Sequence, residues 1–218
     1  GVQTVCSSDL ALAAYRRVNA AGTAKLAADA AAAGARRFVY VSTAKVLGEA
    51  SPSGRPFTDD DPPAPADAYA VSKYEGEEAL AEVAARTGLE TVVVRPPLVY
   101  GPGVGANFLR LVEAIDRGTL FPLGAVANRR SLVFVGNLAA AIGACLDHPE
   151  ATGGRFLVSD GEDLSTPELV RRLAAALGKT PRLIGVPPAL LRLGGLLLGR
   201  RAEADRLLGD FALAPTAL

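Results

Sequence analysis

The chain has 218 residues, half of them hydrophobic, with 23 Lys+Arg against 23 Asp+Glu and a single His. That length supports one sizeable core, or a large domain with a small appendage, and the balanced charge without a basic run argues against nucleic acid as the main partner. Cys6 and Cys145 share no spacing motif, so neither a disulfide scaffold nor a zinc site is expected, no metal is implied, and a reducing cytoplasm is the expected compartment.

In chain order, residues 1–10 (GVQTVCSSDL) match neither a strand nor a helix start and read as non-native sequence ahead of a domain beginning near Ala11. Residues 11–33 are Ala-rich with apolar positions at helical spacing and stop at Gly34, which predicts one helix with a glycine C-cap. Residues 38–42 read as a short buried strand, and 49–67, with clustered Pro and Asp, as a loop. Helix resumes near Asp67 and runs to about Arg86, with Gly88 closing it, and Val92–Val94 form the next buried strand. Short apolar strands alternating with helices predict an α/β fold with a parallel sheet covered on both faces.

Further on, a helix is expected over 106–117, a strand over Ser131–Val135, a helix capped by Asn137 and running to about Leu146, and a strand over 155–158. Ser165-Thr-Pro-Glu168 is a capping box that opens a helix ending at Gly178. Two short helices follow, around Pro188–Leu198 and Arg201–Leu208. The apolar stretch Ala189–Leu198 contains Arg192, is too short to span a bilayer and reads as a buried helix, so no membrane association is expected.

The chemistry concentrates in three segments. Tyr69-Ala-Val-Ser-Lys73 puts a phenol and an ammonium one helical turn apart on the same face. It is preceded by 38-FVYVSTAKVLGE-49, an apolar run ending at Ser42 and Thr43, and followed by 91-TVVVRPPLVYGPG-103, a second apolar run ending in a Pro/Gly loop. A hydroxyl at one strand end, a Tyr–Lys helix and a further strand–loop make a catalytic layout. Of Ser42 and Thr43 only one can face the site, because adjacent strand residues point to opposite faces. No G-x-G-x-x-G turn precedes the Tyr–Lys pair, no G-x-S-x-G elbow supports hydrolase chemistry, and the lone His148 reads as a surface or capping residue.

Together with 18-VNAAGT-23, Asn107 and 129-RRSLVFVGNL-138, these segments resemble the extended short-chain dehydrogenases/reductases, within them the NAD-dependent epimerase/dehydratase group, and most of all its UDP-glucose 4-epimerase-like members. The resemblance implies a Rossmann-like NAD(P)-binding sheet, lacking its N-terminal β-α-β units, over 11–105, and mainly a small α/β substrate-binding subdomain, truncated at its end, over 106–218. It casts Tyr69 as the acid/base, Lys73 as the cation that favours its phenolate and reaches the nicotinamide ribose, and Thr43, with Ser42 as the neighbouring alternative, as the hydroxyl positioning the sugar. It places Asn19 and Pro97 beside the cofactor and Asn107 and Arg130 on the nucleotide diphosphate, and it leaves Arg95 structural and Arg129 solvated. Leu47, where the family often has Tyr, changes local packing and removes no catalytic group. The implied cofactor is NAD, or NADP, and the implied partner, besides a UDP-sugar, is a second copy of the chain. The implied activity is epimerisation at carbon 4 of a UDP-hexose in surface-polysaccharide metabolism. A 4-keto reductase of a UDP-deoxyhexulose is the alternative, and a non-catalytic dinucleotide-binding protein is the alternative of another class. Without a glycine-rich turn, the chain alone is expected to be inactive.

Overall fold

The computed structural model describes residues 7–52 and 54–215; residues 1–6 of the stretch read as non-native lie outside the described residues. Its centre is a parallel sheet of three strands in the order β1 (Arg37–Val41), β2 (Glu90–Arg95), β5 (Arg155–Leu157). Strand alternation divides the side chains between two layers. Phe38, Tyr40 and Val93 pack with Ala27, Leu80, Val83 and Leu89, under α2 (Thr23–Ala32) and α3 (Ala68–Thr87). Val39, Val92 and Val94 pack on the other face with Leu138, Cys145 and Phe156, under α5 (Val135–Asp147). Both faces of the sheet are covered, which is why its strands read as unbroken apolar runs.

The best-marked element in the sequence is α3. Asp67 caps it by accepting the Ala70 N–H at 2.7 Å, and Gly88, at φ 73°, ends it in the left-handed conformation that glycine adopts without strain. A cap of the Asp67 kind contributes about 1 kcal/mol.

The expected single helix over 11–33 is instead three segments. Helix α1 (Ser7–Arg16) begins inside the stretch that showed no helix start, a π-helical turn spans Arg17–Gly22, and α2 follows. Periodicity hides the π turn because it adds only one residue to the helix. Its place in the fold is set by contact: the Tyr40 hydroxyl donates to the Asn19 carbonyl at 3.1 Å, and Gly76 of α3 lies against the same atoms. A Cβ at Gly76 would sit 2.3 Å from the Asn19 oxygen and 2.5 Å from the Tyr40 hydroxyl.

A second sheet holds β3 (Leu98–Tyr100), β4 (Arg130–Phe134) and β6 (Asp163–Leu164), with β3 parallel and β6 antiparallel to β4. Strands β3 and β6 are too short to leave a period in the sequence. Beside them α4 (Ala106–Asp116) packs on α6 (Thr166–Ala176) through Ile115, Val170 and Ala174. Ser165 caps α6 as expected. Asn137 does not cap α5, whose N-cap is Phe134; its amide donates to Asp160 at 2.8 Å. Because β5 rejoins the first sheet, the chain crosses back over the division expected at residue 105.

Helix α7 (Pro188–Leu197) corrects the expectation of a buried helix, since none of its residues is buried. Leu191 packs against the Leu123, Val126 and Leu208 cluster, whereas Leu190, Leu193 and Leu196 are half or more exposed and Leu197 is 77% exposed. Helix α8 (Arg201–Leu208) follows it. Among the described residues only one side of α7 has a neighbour to pack on, so its composition overstates its burial. No described helix is long and apolar enough to cross a membrane.

The Gly76 contact leads to a direct expectation. Gly76→Ala should lower stability by about 1–3 kcal/mol, the usual cost of overpacking, read as a lower urea midpoint with an unchanged slope.

Candidate active site

The pairing of β1 and β2 continues past their ends: the Ser42 N–H donates to the Val94 carbonyl at 2.7 Å and the Ala44 N–H to the Pro96 carbonyl at 2.9 Å. These bonds bring Thr43 and the Pro96–Pro97 segment together at the carboxyl ends of the parallel strands, where ligands bind in open α/β sheets.

Strand parity separates the two hydroxyls. Ser42 shares the side of Phe38 and Tyr40, toward α3, and its Oγ donates to Glu77 Oε1 at 2.5 Å. The same carboxylate takes both Arg95 Nε at 3.0 Å and Arg95 Nη2 at 2.5 Å, with the Glu77 and Arg95 side chains 0% and 2% exposed. Ser42 is thus bonded to a buried ion pair, and Arg95 is held in that pair. Thr43 caps the 3-10 turn Ala44–Leu47, accepting the Lys45 N–H on Oγ1 at 3.3 Å, and its own hydroxyl hydrogen remains to donate. That turn packs into the core through Val46 and through Leu47, where the family's Tyr would stand.

Tyr69 lies in the first turn of α3, its ring edge-on to Tyr15 with centroids 5.8 Å apart. Burial pushes its phenol above its ordinary value; Lys45 pulls the other way, and Asp67 and Tyr15 add to the rise. Lys73, one turn on, sits with Nζ 4.3 Å over the Tyr40 ring. Burial lowers its affinity for a proton, and Glu77 offsets part of that loss. Burial pushes the Tyr40 hydroxyl up to about 12. Asn19 Nδ2 donates to Ser72 Oγ at 2.9 Å, which in turn donates to the Tyr69 carbonyl at 2.7 Å. The π turn is thereby tied to the first turn of α3.

The structure brings Tyr69, Lys73, Thr43, Asn19 and Pro97 to one end of the first sheet. Asn107 and Arg130 belong to the second sheet's layer. Asn107 is exposed in the first turn of α4, its Oδ1 accepting Arg110 Nη2 at 2.8 Å, and it lines a cavity of about 450 Å³ with Tyr100, Gly101 and Phe108. Arg130 donates Nη1 to the Arg206 carbonyl at 2.8 Å, holding the last turn of α8, and burial lowers its affinity for a proton. Arg129, expected to be solvated, is half exposed and pairs with Asp163 at 2.8 Å. Sequence reasoning passed over Glu77 and Lys45; a carboxylate on the sheet-facing side of α3 was the signal for the first. Among the described residues no His/Cys/Asp/Glu group could hold a metal.

The buried pair yields a test. Glu77→Ala should cost about 3–5 kcal/mol, since it leaves the Arg95 charge buried without a partner, whereas Ser42→Ala should cost only about 1–2 kcal/mol. Urea unfolding of the two variants gives the comparison.

With this geometry in place, the relatives can be compared. A model of the NAD dependent epimerase/dehydratase family matches residues 2–159, a span that takes in most of the first ten residues. The UDP-glucose 4-epimerase of Vibrio cholerae is 45% identical over 199 residues, covering 91% of this chain and 61% of that protein. The chain therefore spans about three fifths of that relative's length. Among solved structures, UDP-glucose 4-epimerase from Thermotoga maritima with UDP-glucose superposes with a TM-score of 0.73 at 21% identity, covering 99% of this chain and 66% of that one. The dTDP-glucose 4,6-dehydratase of Streptomyces venezuelae with NAD follows at 0.70 and 23%, covering 96% and 62%. Two different chemistries on nearly equal superpositions show that the likeness speaks for the fold alone. The family match over most of the chain, and a Tyr–Lys helix standing at the strand ends, lead to one conclusion: this chain belongs to the NAD dependent epimerase/dehydratase family.

Proposed function

We propose that the chain carries the catalytic part of an NAD-dependent nucleotide-sugar 4-epimerase acting on a UDP-hexose. The observation that carries this reading is the gathering of Tyr69, Lys73 and Thr43 at the carboxyl ends of β1 and β2, where a sugar and a nicotinamide can meet. The 45% identity to the Vibrio cholerae UDP-glucose 4-epimerase supports the choice of substrate class.

The residues fit the nicotinamide end of the cofactor. The Lys73 ammonium lies over the Tyr40 ring and meets no hydrogen-bond acceptor among the described residues, which leaves N–H donors for ribose hydroxyls. Asn19 is held beside it through Ser72. The pyrophosphate end has no such match, because no G-x-G-x-x-G turn precedes the Tyr–Lys pair in this sequence. NAD, when bound, supplies the hydride acceptor and donor at carbon 4, and its positive ring favours the Tyr69 phenolate.

The chain's own groups handle the proton. Tyr69 takes the hydrogen from the sugar 4-hydroxyl and returns it to the ketone oxygen after the sugar has turned over. Thr43 donates its hydroxyl hydrogen to that same oxygen and fixes its position, while one of its lone pairs accepts the Lys45 N–H. For the diphosphate, the exposed pair Asn107–Arg110 is better supported than Arg130, whose guanidinium is engaged by a backbone carbonyl of α8. We further propose that two copies pair through α3 and the segments beside it, the π turn and α2, where Val18 and Leu26 lie 65% and 60% exposed.

The test needs the chain alone and the chain placed behind the N-terminal β-α-β units of a family member. Calorimetry should show no saturable NAD binding by the first and micromolar binding by the second. With UDP-glucose or UDP-GlcNAc, proton NMR should show the carbon-4 epimer at constant NAD, and Tyr69→Phe should slow it by about 10²–10⁴-fold. No epimer, with NADPH consumed on a keto sugar instead, would mark a reductase.

A further inference from the structure

We infer that the outward face of α7, together with the arginines that follow it, is a docking surface for an anionic lipid bilayer, on which the chain lies without crossing it. The inference is independent of the proposed activity.

Two packed positions fix which side of α7 faces the protein. Leu191 packs on the cluster of Leu123, Val126 and Leu208. One turn on, Gly195 lies so close to α8 that a Cβ there would sit 2.6 Å from the Ala204 Cβ. Residues four apart share one stripe of a helix, so 191 and 195 mark the inner side. The opposite side carries Leu190, Leu193 and Leu197 at helical spacing, with Leu196 beside them and Leu198 at the C-cap. All five are half or more exposed, and Leu197 and Leu198 are each 77% exposed. Single exposed leucines are ordinary, but five on one short helix make an apolar patch of the kind that marks a binding surface.

The surrounding charges select the partner. Gly199, at φ 67°, turns the chain out of α7, and the exposed Arg200 and Arg201 follow at once. Arg192 flanks the leucines, one turn before Leu196. Arg192 and Arg201 share a single carboxylate, that of Asp205, each at 3.6 Å. Among the described residues Arg200 forms no ion pair. From 188 to 208, Arg192, Arg200, Arg201 and Arg206 stand against Glu203 and Asp205, an excess of positive charge in a chain whose net charge is zero.

A bilayer with anionic headgroups answers both features. Its hydrocarbon takes the leucines, and its phosphates meet the guanidinium groups, whose methylene stems lie along the same apolar layer. At a rise of ~1.5 Å per residue the helix is about 15 Å long, roughly half the hydrocarbon thickness, so it lies in the plane of the surface. The short length that rules out a crossing leaves this mode of binding intact. A second copy fits less well, because two-fold pairing would set the patch against itself and its arginines against like charges.

Co-sedimentation of the 218-residue chain with vesicles tests the assignment without any turnover. Phosphatidylcholine vesicles containing phosphatidylglycerol should bind it at least about tenfold more tightly than phosphatidylcholine alone, and added salt should narrow that gap. Leu193→Asp and Leu197→Asp should each weaken binding about tenfold, whereas Leu146→Asp, on the exposed end of α5, should leave it unchanged. Arg200→Gln and Arg201→Gln should each weaken it about fivefold. Both arginines are exposed, so these two variants leave every packed side chain in place. The chain has no Trp, so Leu197→Trp provides a single emission that should shift to the blue as the ring enters hydrocarbon. Binding that is equal on neutral and anionic vesicles, or unmoved by the leucine substitutions, would overturn the inference. A chain that ignores vesicles but sediments as a dimer split by Leu197→Asp would give the face to a second copy instead.

Discussion

The structure turns on one buried carboxylate. Glu77 sits in the middle of α3 with both oxygens engaged, by the forked guanidinium of Arg95 at the end of β2 and by the hydroxyl of Ser42 at the end of β1. Taking such a pair out of water is costly, and the cost is offset only when the geometry is close and the remaining lone pairs are used. Here the geometry meets that condition, and it ties three elements at the level where the strands end. Whatever stands on those ends inherits a fixed distance from the helix, as a catalytic site requires.

Above this anchor the polar groups form a second, more exposed layer. Thr43, Lys45 and Asp67 run as a chain from the strand tip to the helix cap. Asn19 and Ser72 run from the π turn to the Tyr69 carbonyl. Tyr69 is thus approached from two sides by hydrogen-bonded paths that end on rigid elements. Burial pushes its phenol above the ordinary value, so nearby positive charge favours its ionisation.

The close approach of α3 to the first helices depends on what is absent as much as on what is present. Gly76 has no Cβ where the Asn19 carbonyl and the Tyr40 hydroxyl stand, and the widened π turn offers that carbonyl to the tyrosine. Single π turns recur at functional sites because they redirect one polar group without breaking the helix. In this chain the redirected residue is Asn19, one of the residues that the family resemblance places beside the cofactor.

Much of this fold was legible in the sequence by itself. Caps act over three or four residues, so Asp67, Gly88 and Ser165 marked their helices correctly, and the apolar runs at 38–42 and Val92–Val94 marked a sheet buried on both sides. The order of hydroxyl, Tyr–Lys helix and Pro/Gly loop pointed to the family. Only the tertiary structure gave Ser42 and Thr43 different partners, because Glu77, which Ser42 meets, lies 35 residues away. It also paired Lys45 with the cap of α3, since Lys45 and Asp67 are 22 residues apart and share no local pattern. It exposed the leucines of α7, whose composition suggested a core. Local propensity reads a chain a few residues at a time, whereas burial and charge pairing are set by segments that meet only once the chain has folded.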